Sequence, residues 1–126
     1  MKNLILKVSA ILVLFVLTSY IVKEESIGEK KLIGTWEYSV PDAPQQYQKG
    51  EIIFVKNEGN LEGSLAINGY KTLLKKLKSK KNNVTCEAYI SGENISFDLT
   101  FDKKSFMGTA SYSEGSLDIS GHKRMD

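Results

Sequence analysis

Apolar and polar side chains alternate along most of the chain after residue 31. In residues 32–40, Trp36, Tyr38 and Val40 share one phase, and polar residues occupy most of the other phase. The pattern is clearest in residues 84–90 and 95–101, where every second side chain is apolar. A period of two indicates β-strands that each bury one face. The pattern therefore predicts an all-β protein.

Eight strands are predicted, separated by residues that favour turns. They cover residues 32–40, 51–56, 61–67, 70–81, 84–91, 95–102, 106–112 and 117–121. Connections after the first are so short that successive strands must be antiparallel neighbours. We expect an eight-stranded up-and-down meander closed into a small barrel, because closure removes both exposed edges. Side chains can just fill such an interior, or it can hold one small ligand.

Residues 70–81 fit two interpretations. Their apolar residues fall at helical spacing, at Tyr70, Leu73, Leu74 and Leu77. A strand would instead place Leu73 and Leu77 on one face. The strand is favoured, because Asn68 and Gly69 suit a tight hairpin turn and a helix here would be short and uncapped.

The N-terminus predicts export. Lys2 and Lys7 precede an uncharged run over residues 8–22, which is typical of a signal peptide and short for a membrane-spanning helix. We expect residues 1–28 to form a hydrophobic signal helix and residues 29–126 to form the barrel domain. The expected location is periplasmic or secreted, in a bacterium. Cleavage stays open, and an uncleaved segment would be the one route to membrane attachment.

Composition adds limits to this picture. The 126 residues are 41% hydrophobic and 25% charged, which fits one globular domain. Cys86 is the single cysteine, so an internal disulfide is excluded, and it lies too far from the leader for a lipid anchor there. His122 is the single histidine, and no catalytic or metal-binding motif accompanies it. We therefore expect no enzyme activity, no metal and no cofactor.

One stretch of the chain is strongly basic. Its lysines are Lys71, Lys75, Lys76, Lys78, Lys80 and Lys81. They could contact an anionic glycan, a membrane surface or a protein, or they could simply keep a strand soluble and unpaired. Nucleic acid is not expected, because aromatic residues are not interleaved with the lysines.

The first strand contains Gly34-Thr35-Trp36, and this Gly-x-Trp resembles the calycin superfamily, the lipocalins and their relatives. It also resembles the small exported lipocalin-like domains found in Bacteroidetes. The resemblance implies that Trp36 closes one barrel end and that a basic residue of the last strand packs on its ring. Strand phase makes Lys123 the candidate, with Arg124 as the alternative. The chain departs from the family in using lysine and in lacking a C-terminal helix.

The resemblance also implies a small apolar or amphipathic ligand inside the barrel. Candidate interior contacts are Trp36, Tyr38, Phe97, Phe101, Phe106 and Tyr112, with Tyr47 of the 41–50 loop at one mouth. The alternative is a filled barrel, a structural or interaction domain that uses the basic strand or the 41–50 loop as its surface. A monomer is expected in either case.

Overall fold

The computed structural model describes residues 29–125. The signal peptide predicted over residues 1–28 lies outside this part of the chain. A four-residue helix, α1 (Glu29–Leu32), precedes the strands, and a 3-10 helix (Gln45–Tyr47) interrupts the first long connection. The strands are β1 (Gly34–Ser39), β2 (Lys49–Asn57), β3 (Asn60–Ile67), β4 (Tyr70–Leu73), β5 (Lys75–Lys80), β6 (Asn83–Ile90), β7 (Glu93–Asp102), β8 (Ser105–Tyr112) and β9 (Gly115–Lys123).

The nine strands form one antiparallel sheet in the order β4-β3-β2-β1-β9-β8-β7-β6-β5. The first and last strands of the chain, β1 and β9, pair in the middle of this order. The two edges of the sheet, β4 and β5, are consecutive in the chain, so the sheet curls until its edges almost meet. The predicted antiparallel meander is confirmed, and it forms a nearly closed barrel. No helix within residues 29–125 has the length and apolar character needed to cross a membrane.

The prediction of eight strands is wrong, because the strand expected over residues 70–81 is divided in two. Its first half, β4, pairs with β3, and its second half, β5, pairs with β6. The β5–β6 register shifts between Lys75 and Lys78, and Lys76 adopts a left-handed backbone with φ of 52°. Such a bulge bends and twists the strand. The segment thereby exchanges one neighbour for the other, and the helical interpretation is also wrong.

The two ends of the barrel are packed differently. At one end, which we call the closed end, large apolar side chains are almost fully buried; they are Leu32, Trp36, Phe54, Phe101 and Phe106. The opposite end, the open end, carries the 41–48 loop and the turns that follow β3, β6 and β8. Several apolar side chains there are only partly buried, among them Tyr47, Ile90, Ile95 and Leu117.

Candidate functional site

Trp36 is the centre of the closed end. Its indole N–H donates a hydrogen bond of 2.9 Å to the carbonyl oxygen of Leu32 in α1. Its ring meets Phe101 edge-on with centroids 4.8 Å apart, and Phe106 lies at 6.0 Å. The short helix and the barrel wall are therefore joined through one buried side chain.

Lys123 covers the outer side of the Trp36 side chain, which we call the plug. It stands opposite Trp36 in the β1–β9 ladder, and its Nζ lies 5.7 Å from the indole centroid. The same ammonium donates a 3.1 Å hydrogen bond to the carbonyl oxygen of Lys31. Gly34 leaves room for this arrangement, because a Cβ at that position would lie 2.9 Å from the Lys123 side chain. Arg124 instead pairs with Glu51.

The open end contains a cavity of about 390 Å³. Most of its walls are apolar or aromatic; these residues are Tyr38, Val40, Ala43, Pro44, Tyr47, Ile67, Ile90, Ile95, Phe97, Ala110, Tyr112 and Leu117. Asp42, Ser91, Glu93 and Glu114 supply the polar part. The volume falls within the range of small-molecule sites, which is about 300–1,000 Å³.

The 41–48 loop borders the mouth of this cavity and is held by its own hydrogen bonds. The backbone N–H of Val40 donates to the carbonyl of Gln48 at 2.8 Å, and the Gln48 amide donates to the Ala43 carbonyl at 3.1 Å. The hydroxyl of Tyr47 shares a hydrogen bond with Ser91, which also lowers the pKa of Tyr47. Tyr47 therefore links the loop to the turn after β6.

A second hollow of about 560 Å³ opens at the seam between β4 and β6. It shares four wall residues with the open-end cavity, namely Tyr47, Ile67, Ile90 and Ser91. The seam exists because β4 pairs with β3 and leaves the mouth-side part of β6 uncovered. The open-end cavity is thus bordered by loops at its mouth and by this seam at one side.

The seven candidate interior residues separate into two groups. Tyr38, Tyr47, Phe97 and Tyr112 line the open-end cavity. Trp36, Phe101 and Phe106 are not among its walls and pack against one another at the closed end. Neither the aliphatic walls of the cavity nor its three carboxylates, Asp42, Glu93 and Glu114, were identified from the sequence. A usable signal was present, because residues close to the same set of turns must share one barrel end.

The six lysines of the basic stretch are all exposed. Lys76 forms an ion pair of 3.6 Å with Glu87, and Lys75 lies 5.5 Å from the Tyr89 ring centroid. The pKa of Glu87 is lowered, first by a hydrogen bond from Asn94 and then by the charge of Lys76. The positive charge of the basic stretch is therefore partly offset by Glu87 of the neighbouring strand β6.

The two isolated residues with reactive side chains lie apart from the cavity. Cys86 is buried, and that burial raises the pKa of its thiol to about 12. His122 is exposed on β9, with Nε2 3.7 Å from a Glu37 oxygen. Within residues 29–125, no three His, Cys, Asp or Glu side chains come together in a group that could hold a metal ion.

Comparisons with known proteins agree with the architecture. A solved structure described as a redesigned β-barrel is similar, with a TM-score of 0.53 and 17% sequence identity. The match covers 77% of this chain and 94% of that one. The chain is a β-barrel. At this identity the likeness shows the fold alone, and no family model and no curated protein matches the chain.

Proposed function

We propose that this β-barrel binds a small apolar or amphipathic molecule in the cavity at its open end. The contrast between the two ends is the observation that carries the proposal. Trp36, Phe101 and Phe106 fill the closed end, whereas the side chains near the open end leave about 390 Å³ unfilled. A filled barrel would need no such hollow, since interiors normally pack densely.

The size of the cavity sets the affinity to be expected. An aromatic probe that buries roughly 150–250 Å² gains about 4–6 kcal/mol from removal of apolar surface from water. Loss of translational and rotational freedom reduces this gain. A gain of about 4–6 kcal/mol corresponds to dissociation constants between about 40 µM and 1 mM, so simple probes should bind no more tightly than about 40 µM. A natural ligand with matched polar contacts would bind more tightly.

A fluorescence titration with the uncharged dye N-phenyl-1-naphthylamine tests the proposal. Ala110 lies in the cavity wall and is 8% exposed, so Ala110→Phe places a ring in the hollow. Ser111→Phe is the matched control, because Ser111 does not line the cavity. We expect saturable binding by the native chain and by Ser111→Phe, and at least about tenfold weaker binding by Ala110→Phe.

Two results would count against the binding proposal. The first is the absence of saturation with the native chain. The second is equal binding by Ala110→Phe and Ser111→Phe, because the dye would then lie outside the cavity. Unfolding curves of both variants show whether either change has disturbed the barrel.

The alternative is a surface function of the basic stretch. Five of its lysines lack an ion-pair partner within residues 29–125, which favours contact with an anionic glycan, membrane or protein. Cosedimentation with phosphatidylglycerol vesicles tests the membrane case. Lys78→Glu combined with Lys80→Glu should abolish vesicle binding if the basic stretch contacts a membrane, and no binding by the native chain would reject the membrane case.

We also propose that the protein is exported, that it is a monomer, and that it has neither enzyme activity nor a cofactor. The support for this proposal is the leader-like pattern of residues 1–28 and the absence of a catalytic motif in the sequence. Fractionation of the host cell tests export, because the chain should appear in the periplasm or medium. Recovery of the full-length chain in the cytoplasm would contradict it.

A further inference from the structure

The walls of the open-end cavity carry charge of one sign. Asp42, Glu93 and Glu114 line it, and none of its wall residues is Lys, Arg or His. The three carboxylates come from different segments at this end. Asp42 lies in the 41–48 loop, Glu93 is the first residue of β7, and Glu114 lies in the turn after β8. They therefore approach the mouth from three parts of the sheet.

These carboxylates are not neutralised by the protein. The ion pairs formed within residues 29–125 use Glu29, Glu37, Glu51 and Glu87, and none of the rim residues. Glu93 accepts hydrogen bonds from the backbone N–H and the hydroxyl of Ser113, and these bonds lower its pKa. Glu93 therefore keeps its negative charge at neutral pH.

The charges do not gather into a chelating cluster. No group of three acidic, histidine or cysteine side chains among the described residues could hold a metal ion. The carboxylates instead border an apolar volume of about 390 Å³, which is far larger than a metal ion needs. An organic molecule with a diffuse positive charge fits this combination better than an inorganic cation.

The aromatic walls provide an independent argument for a cation. Three tyrosines, Tyr38, Tyr47 and Tyr112, line the same cavity. Aromatic rings attract ammonium groups through their quadrupole, most strongly where water is excluded. Burial raises the pKa of Tyr38, so its ring keeps the neutral hydroxyl. The adjoining seam, by contrast, has a basic wall residue, Lys71.

We propose that the open-end cavity selects amphiphiles with a cationic head, such as a hydrophobic amine or a quaternary ammonium compound. The apolar body of the ligand lies among the aliphatic and tyrosine walls, and its positive charge lies at the rim formed by Asp42, Glu93 and Glu114. This inference rests on the proposed function, and it adds the charge of the ligand to it.

Calorimetric titration of the full chain with three probes of equal tail length tests the inference. The probes are octyltrimethylammonium, octanol and octyl sulfate. We expect the cation to bind about tenfold more tightly than the alcohol, and the sulfate to bind most weakly. Added salt should reduce the advantage of the cation, because exposed charges are screened over about 8 Å at physiological ionic strength.

Variants locate the source of the selectivity. Asp42→Asn combined with Glu114→Gln removes two exposed rim charges and should reduce the preference for the cation over octanol from about tenfold to about twofold. Lys71→Gln at the seam is the control and should leave the order of the three probes as it is. Glu93 is left intact because it also holds Ser113.

The outcomes separate this inference from the proposal beneath it. If octanol or octyl sulfate binds as tightly as the cation, the charge selectivity is wrong and the binding function stands. If the double variant retains the full preference for the cation, the charges of Asp42 and Glu114 are not its source and the inference fails. If none of the three probes binds, both the inference and the proposed function fail.

Discussion

Replacing Trp36 with phenylalanine tests whether a single buried indole holds the closed end together. The variant keeps an aromatic ring beside Phe101 and Phe106 but removes the N–H that bonds to the Leu32 carbonyl. Leu32 is 1% exposed, so little water can replace that donor. The change therefore removes the hydrogen bond between α1 and the barrel and keeps an aromatic side chain in the core.

The expected cost follows from these contacts. An unpaired buried polar group costs about 1–3 kcal/mol, and weaker aromatic contact adds about 0.5–1.5 kcal/mol. We expect Trp36→Phe to lower the free energy of unfolding by about 2–4 kcal/mol. Lys123→Met is the comparison variant, because it keeps the aliphatic stem over the indole and removes the ammonium together with its exposed hydrogen bond to the Lys31 carbonyl. Its expected cost is about 1 kcal/mol, as for a partly exposed cation–π contact.

Urea unfolding followed by circular dichroism provides the measurement. Fluorescence is unsuitable because Trp36 is the single tryptophan. In thermal unfolding, Trp36→Phe should lower Tm by roughly 10–25 °C and Lys123→Met by roughly 5 °C. If Trp36→Phe costs no more than Lys123→Met, the indole hydrogen bond does not hold the closed end and the account of the plug is wrong.

Three further predictions concern other parts of the barrel. The Cys86 thiol, whose pKa burial raises to about 12, should resist iodoacetamide at pH 8 until urea unfolds the chain; rapid native labelling would contradict this. Gly108→Ala should cost about 1–3 kcal/mol by urea unfolding, because a methyl group there overlaps the Asp98 carbonyl, and an unchanged midpoint would refute the overlap. The lowered pKa of Glu93 contributes stability above its ordinary value of 4.5, and this contribution is lost as pH falls through the lowered pKa. Ser113→Ala should therefore lower Tm more at pH 7 than at pH 3, and an equal loss at both pH values would argue otherwise.

The strands were predictable because alternation reports burial directly. Trp36 and Tyr38 share a phase and are both buried, as are Phe97, Leu99 and Phe101. Most strands also follow a recognisable turn, so antiparallel neighbours could be assigned without knowledge of the core. Local pattern and tertiary packing agree in these segments, which is what makes a fold readable from its sequence.

The division of residues 70–81 could not be predicted from local pattern. No glycine or proline marks the bulge at Lys76, and a lysine is an unusual residue for a left-handed conformation. The break is imposed by closure, because β4 and β5 must satisfy different neighbours. That requirement exists only once the whole sheet has curled.

The candidate site was half predictable for a similar reason. Strand phase separates inside from outside, but it does not say at which end of the barrel a side chain lies. Phe101 and Phe106 flank the turn between β7 and β8, which places them beside Trp36. Tyr38 and Tyr112 lie toward the other ends of their strands and reach the cavity. Position along the strand therefore carries information that alternation alone does not.

The most direct test of the account is an NMR titration of the folded, ¹⁵N-labelled chain with N-phenyl-1-naphthylamine. The account predicts saturable shift changes at the backbone amides of Tyr38, Val40, Ala110 and Leu117, which border the cavity. The NMR signal of the Trp36 indole N–H should not shift, because the closed end is filled. Shift changes centred on Trp36, or none that saturate, would contradict the central claim that the open end is a ligand site.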